Sequence, residues 1–308
     1  MRAQQPRKIP VVGVLWHAEN AEGEIGRVEA LRRGLEDFGR IDGRNIRVID
    51  TFAAEQYERF DTNAANLVAM PVDLLFAHTQ PAAMAAHRAT DRIPIVFTWV
   101  PDPVQSGLVA SLNRPGGNIT GFSNVAVDLS GKKLQMMKEV TGSSRLGFLA
   151  NGNDSNVASR SAQALKSAAA SLEIDLQVVQ VRGADEIDQA FEQFARQGLA
   201  GVITQPDGLF FNERKRIARL ALERRMATLG HVEELADDGF LMTFGPSGVL
   251  MIRRAATYVD RILGGVAPAE LPVELPTKID LVINTKTAKK LGLAISPALL
   301  IAAERVIG

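Results

Sequence analysis

The chain has 308 residues, 46% of them hydrophobic and 23% charged, with 35 basic and 35 acidic side chains and no cysteine. That length exceeds what one core usually serves, so two domains are expected. Balanced charge argues against an electrostatic grip on nucleic acid or an anionic membrane, and the missing cysteines remove disulfides, thiolate nucleophiles, iron–sulfur clusters and cysteine-ligated zinc together.

No apolar run approaches the roughly 20 residues that span a bilayer. The opening MRAQQPRKIP lacks the apolar centre of a secretion signal. The expectation is a cytosolic protein, or an exported one whose signal was replaced by an initiator Met.

From Val11 onward strand and helix alternate. VVGVLW (11–16) reads as a buried strand, followed by a helix carrying Val28, Leu31, Leu35 and Phe38 on one face and stopping near Gly39. NIRVID (45–50) is a second strand, before a helix around Phe60, Ala64 and Leu67. VDLLFAH (72–78) is a third, before a helix at 81–89 opened by Pro81. Residues 93–99 form a fourth strand, which runs into Pro101 and Pro103; these end ladder bonding and fix the backbone around Asp102. Such alternation means βαβ units and parallel sheet.

NRPGGNITGFSN (113–124) is the densest turn composition in the chain and reads as a turn before a hinge. The series then begins again: helix 129–140, strand 145–151, a long helix to Leu172, strand 176–181, helix 186–196, strand 201–205, helix 212–225 and strand 227–231. The two halves also match locally. GVLWHAEN and GFLANGND each break from a first strand into a polar loop, and HTQPAAM and ITQPDGL both place Thr-Gln-Pro at the exit of a third strand.

A helix with Met251, Ala255, Tyr258 and Ile262 then leads through GGVAPAELPVELPTK to strand 279–284, helix 285–291 and a closing helix to Ile307. The predicted fold is α/β: two similar doubly wound parallel-sheet lobes joined by a three-segment hinge, with crossings near 122–126, 244–248 and the tail. The lobes are expected at 9–122 plus 248–277 and at 125–244 plus 279–308.

In open α/β sheets, ligands sit beyond the carboxyl ends of the strands. That rule selects Trp16 and His17; Thr79 and Gln80; Thr98, Trp99 and Asp102; Asn151, Asn153 and Asn156; Asp207; His231; and Phe244, with Phe122 at the hinge. Amides, hydroxyls, carboxylates and large rings suit a small molecule held by hydrogen bonds and stacking. Asp102 can simply cap a helix beginning at VQSG. Asp207 has no evident capping duty and can accept a ligand ammonium. Thr79 precedes Pro81 at a helix start, where it can cap the helix or sit beside a bound carboxylate. Trp16, Trp99, Phe122 and Phe244 stand apart from the other aromatics, because a large ring at a strand end needs a partner to bury it.

Enzyme motifs are missing. The four histidines, at 17, 78, 87 and 231, show no HExxH and no helical ligand spacing, so no metal is expected. His17 and His78 lie at strand exits, while His87 reads as an ordinary helix residue. There is no GxSxG elbow and no P-loop, and Trp16-His17 occupies the place where a dinucleotide fold needs a tight glycine turn.

Three long segments carry a resemblance. IPIVFTWVPDPVQSGLVASLNRPGGNITGFSN (93–124), FGPSGVLMIRRAATYVDRILGG (244–265) and LPVELPTKIDLVINTKTAKKLGLAISPALL (271–300) resemble the signatures of TrpX-like substrate-binding proteins of ABC transporters. The similarity runs from about Ile9 to Ile307. It implies a type I periplasmic-binding-protein fold that closes on a ligand, a mature N-terminus near AQQP, and delivery of a small-molecule solute to a membrane permease by a periplasmic monomer, lipid-anchored or not. It also implies an amino acid or aromatic acid as solute. Carried over by position, Thr79, Thr98, Asn151 and Asp207 would line the site; Trp16-His17 and Trp99 depart from the pattern and bear on which ligand is taken.

The expected function is therefore solute binding without catalysis or cofactor. One rival is the effector half of a LacI-type repressor, which would need a DNA-binding segment of about 60 residues ahead of the first strand, where ten residues precede Val11. The other is a two-domain enzyme using Asp207, Asp102 or a histidine.

Overall fold

The computed structural model describes residues 9–54, 56–124, 129–153 and 155–308, the side chains of 155–157 excepted. The chain divides into two compact units: residues up to Asn124 with Gly248–Pro276, and Val125–Ser247 with Thr277–Gly308.

The first unit is laid down as β1 (Val11–Trp16), α1 (Ile25–Glu36), β2 (Arg47–Phe52), α2 (Tyr57–Ala69), β3 (Leu74–His78), α3 (Gln80–Ala89), β4 (Ile95–Val100) and β5 (Ile119–Ser123). The sheet order is β2-β1-β3-β4-β5 and every pairing is parallel. β3 and β4 are buried along their whole length, as continuous apolar runs covered on both faces must be. Leu15, Phe60, Leu67, Leu75, Ala83, Ile95 and Phe97 form the core on one side of the sheet.

The second unit begins with α4 (Ser130–Thr141), β6 (Arg145–Asn151), α5 (Ser155–Ser171), β7 (Asp175–Val181), α6 (Ile187–Arg196), β8 (Gly201–Thr204), α7 (Gly208–Asn212), α8 (Arg214–Glu223), β9 (Ala227–Gly230), α9 (Glu233–Asp237) and β10 (Met242–Gly245). The chain then returns to the first unit for α10 (Gly248–Leu263). It finishes in the second with β11 (Asp280–Asn284), α11 (Thr285–Leu291), α12 (Pro297–Ala302) and β12 (Arg305–Ile307). The sheet reads β12-β11-β10-β9-β8-β6-β7. Its run β7-β6-β8-β9-β10 repeats the order of the first sheet strand for strand, so the doubling read from the sequence is real at the level of topology.

α10 is seated on α1 in the first unit. Gly34 makes the approach possible: a Cβ there would stand 2.7 Å from both the Ala256 Cβ and the Arg253 carbonyl oxygen. Arg40–Asp260 at 2.7 Å and Arg253–Asp37 at 2.8 Å flank the same seam. The segment after α10 joins the free edge of β5. There Ser123 N–H donates to the Glu274 carbonyl, Glu274 N–H donates to Gly121, and the Thr120 hydroxyl donates to Leu271 at 2.6 Å.

Three expectations need correction. No helix follows Asp102: residues 101–110 are turns, Gly107 lies at φ +77°, and Asp102 Oδ1 accepts from Gln105 N–H at 3.0 Å in a local turn. The closing helix ends at Ala302, and the β-branched pair Val306-Ile307 forms β12 beside β11. Finally, the second sheet is not wholly parallel, because β11 runs antiparallel to β10. The strands β5 and β10 and the short helices α7 and α9 carry no clear signal in the sequence.

Candidate functional site

In the first unit β1, β3 and β4 are neighbours in register, Leu15 beside Ala77 and His78 beside Thr98. Their ends therefore converge, although the residues there are far apart in sequence. His78 Nδ1 lies 2.9 Å from the Thr98 hydroxyl, and His17 Nε2 lies 2.8 Å from Glu24 Oε1. Arg27 donates to the other Glu24 oxygen at 3.1 Å. His17, His78, Glu24, Arg27 and Thr98 are all buried. Burial pushes the His78 imidazole well below the ordinary histidine value, so it stays neutral. Burial alone would raise the Glu24 carboxyl, but the His17 and Arg27 charges outweigh it and hold the group well below the carboxylate range.

The backbone here is strained. Thr79 sits at φ 88°, ψ 159°, a region that residues other than glycine avoid, and Trp99 sits at φ 65° where the register of β4 against β5 shifts. Thr79 N–H donates to the Thr98 carbonyl at 2.9 Å, which couples the two exits. Thr79 stands at the head of α3 without capping it through its side chain, and Gln80 is the first residue of that helix.

In the second unit Asn151 is the hub of the rim. Its Nδ2 donates to Asp207 Oδ1 at 2.8 Å, its N–H donates to Gln205 Oε1 at 3.1 Å, and its Oδ1 accepts from Asn153 N–H at 3.0 Å. Asn153 also donates to the Arg182 carbonyl at 2.7 Å. His231 follows β9 and is buried. Asp207 does have a capping duty, against expectation: Oδ1 also accepts from Leu209 N–H at 2.9 Å at the head of α7. Asn156 falls in the first turn of α5, and its side chain lies outside the described residues.

Three of the aromatic residues find their partners inside their own units. Trp16 is 0% exposed, packs against Phe76 and His78, and donates its indole N–H to Asp50 at 2.8 Å. Phe122 lies 4.9 Å from the Tyr258 ring, and Phe244 packs on the core of the second unit. Neighbouring side chains bury Trp16 and Phe122, so these two rings need no partner from outside their unit, while Phe244 stays half-buried. Trp99, tilted against His78 at 6.5 Å, remains at the strand exit. Asp102 is engaged in its own turn.

Sequence reasoning missed Glu24 and Arg27, which the N-cap and first turn of α1 deliver to the rim, and it passed over Thr204 and Gln205. The Thr-Gln-Pro repeat already pointed to the latter pair. Among the described residues, the hydroxyls of Thr79 and Thr204 and the amide nitrogen of Gln205 are buried without a hydrogen-bond partner. So is the Asn124 side-chain oxygen. The atoms of Thr79, Thr204 and Gln205 occupy matched places at the exits of β3 and β8. Leaving such groups unpaired costs about 1–3 kcal/mol each.

Comparison with known proteins agrees with the doubled topology. The model of the family described as ABC transporter substrate binding protein matches residues 12–307. The chain belongs to that family. A curated relative, the "Tyrosine-binding protein" of Clostridioides difficile strain R20291, is 28% identical over 294 residues, covering 94% of this chain and 82% of the relative. A structure of a conserved domain protein from Vibrio cholerae superposes with a TM-score of 0.90 at 27% identity, covering 97% of this chain and 100% of the other. The streptococcal ABC domain in complex with L-Trp has a TM-score of 0.88 at 20% identity, covering 97% and 99%, and supports the fold alone. This substrate-binding protein thus has the two parallel-sheet lobes expected of a type I periplasmic binding protein.

Proposed function

We propose that this substrate-binding protein takes an aromatic amino acid at the strand exits of its units and delivers it to the permease of an ABC importer. It acts as an exported, periplasmic monomer, lipid-anchored or free, and catalyses no reaction. The observation that carries the reading is the set of orphaned polar atoms at the paired Thr-Gln-Pro exits, Thr79 in one unit and Thr204 and Gln205 in the other. An amino acid's carboxylate and ammonium supply the acceptors and donors these groups lack. The tyrosine and L-Trp named for two relatives direct the choice of solute.

In this reading Thr79 and Gln205 hold the polar end, Asp207 receives the ammonium in a charge-assisted bond, and Trp99 lies along the ring. Ligand contacts made only in the bound arrangement favour it over the free one. The test is thermal unfolding with L-Trp, L-Tyr and L-Phe against a panel of aliphatic amino acids and sugars. A true solute at about 100 times its Kd adds roughly 2.7 kcal/mol of stability. Indifference to every aromatic amino acid, with a response to another class, overturns the choice of solute; indifference to all small solutes overturns the function.

A further inference from the structure

The polar cluster at the rim of the first unit has a geometry that ordinary ion pairing does not require. His17, Glu24 and His78 are buried, and one ligating atom from each lies within 4.8 Å of the other two. Their sequence positions hide this, since β1–β3 pairing brings the first loop beside the end of β3. The remaining atoms of two of the three are already engaged. His78 Nδ1 is held by the Thr98 hydroxyl, which directs Nε2 elsewhere, and Glu24 Oε2 is held by Arg27, which leaves Oε1 beside His17 Nε2. Outer bonds of this kind fix imidazole and carboxylate ligands in metal centres.

We propose that His17, Glu24 and His78 bind one divalent transition-metal ion, with zinc the best match. Two imidazole nitrogens and one carboxylate oxygen are a zinc donor set, and three protein ligands leave a fourth position for water. The 2.8 Å contact between His17 and Glu24 gathers two of the ligands before the ion arrives, and the ion inserts between them as the proton on His17 Nε2 is released to water. The Arg27 guanidinium weakens the attraction for a cation, so the site exchanges its metal and does not act as a structural staple. The inference is independent of the choice of solute, because metal uptake is measured on solute-free protein.

The test is titration of chelator-treated full-length protein with Zn2+ and, separately, Co2+. The expected result is saturation at one ion per chain, with visible Co2+ bands of a low-symmetry nitrogen–oxygen site. In long-range 1H–15N spectra of the unmutated protein, zinc should move the ring nitrogens of His17 and His78 and leave those of His87 and His231 in place. Glu24→Gln and His78→Ala should abolish saturation, Thr98→Val should weaken it by about 10–100-fold, and His87→Ala should change nothing. Absence of saturable uptake, or uptake that moves His87 or His231 in place of the pair, overturns the site.

Discussion

Asp207 does two things with one carboxylate, and substitutions can separate them. It caps α7 through Leu209 N–H and holds the Asn151 amide. Asp207→Ala removes the cap, at about 1 kcal/mol, and leaves the largely buried Asn151 amide short of a partner, at about 1–3 kcal/mol more. Asp207→Asn keeps an acceptor for the cap but loses the charge. Denaturant melts should therefore show a large loss for alanine and a small one for asparagine, while calorimetry should show both losing most of their amino-acid affinity. Equal affinity for Asp207→Asn and the unmutated protein would exclude an ammonium contact.

Lys133 on α4 gives a pH prediction. It is 4% exposed, and burial lowers its ammonium from 10.5 to about 8. Between those values the unfolded chain holds the proton and the folded chain does not, so stability rises with pH across this window. The penalty is fully present below 8 and amounts to about 3 kcal/mol. Lys133→Met should raise the melting temperature at neutral pH and flatten the profile between pH 8 and 10.5. A variant no more stable than its parent at pH 7 would refute it.

Among the elements, α1 and α10 test how close packing competes with helix propensity. Alanine is preferred over glycine within a helix by about 1 kcal/mol, so propensity alone favours Gly34→Ala. The contacts decide the other way: a Cβ at 2.7 Å from the Arg253 carbonyl must push α10 off α1, and overpacking costs about 1–3 kcal/mol. Gly34→Ala should be destabilised by chemical denaturation; a gain in stability would mean that the helices give way easily.

The same packing explains what the sequence made legible. Strands of continuous apolar residues such as β3, β4 and β6, and the amphipathic helices between them, announce themselves by period, and so did the repeated order of the halves. Short elements did not. β5 is hidden in turn-rich NITGFS because its stability comes from Gly121 lying against Phe97 and from backbone bonds to Glu274. β12 was read as helix because only β11 beside it makes Val306-Ile307 a strand. The strand-exit rule picked out Thr79, Thr98, Asn151 and Asp207, which the structure joins in pairs, Thr79 to Thr98 and Asn151 to Asp207. It could not find Glu24 and Arg27, which stand at the head of α1 rather than at a strand end, and it could not foresee that Trp16 and Phe122 pack on neighbouring rings, because rotamer and neighbour cannot be read from a linear pattern.

At the scale of the molecule, each unit is assembled from separated stretches of chain, which pass between the units at 124/125, 247/248 and 276/277. A polypeptide ending at Asn124 lacks α10 and leaves the α1 face of Leu31 and Leu35 without the helix that adjoins it. Residues 9–124 alone should give poorly dispersed amide spectra and bind apolar dyes. The same residues joined by a short linker to 248–276 should yield a cooperative melt. A sharp melt from the shorter fragment would show that α10 is dispensable.

That interleaving also fixes a timetable. The amino-terminal sheet leaves the ribosome first, yet the helix that covers it is encoded after five of the seven strands of the second sheet. The earliest-made portion must wait, with an apolar flank open, until roughly nine-tenths of the translation is done. Newly made chains should accordingly depend on holdase chaperones through most of their synthesis.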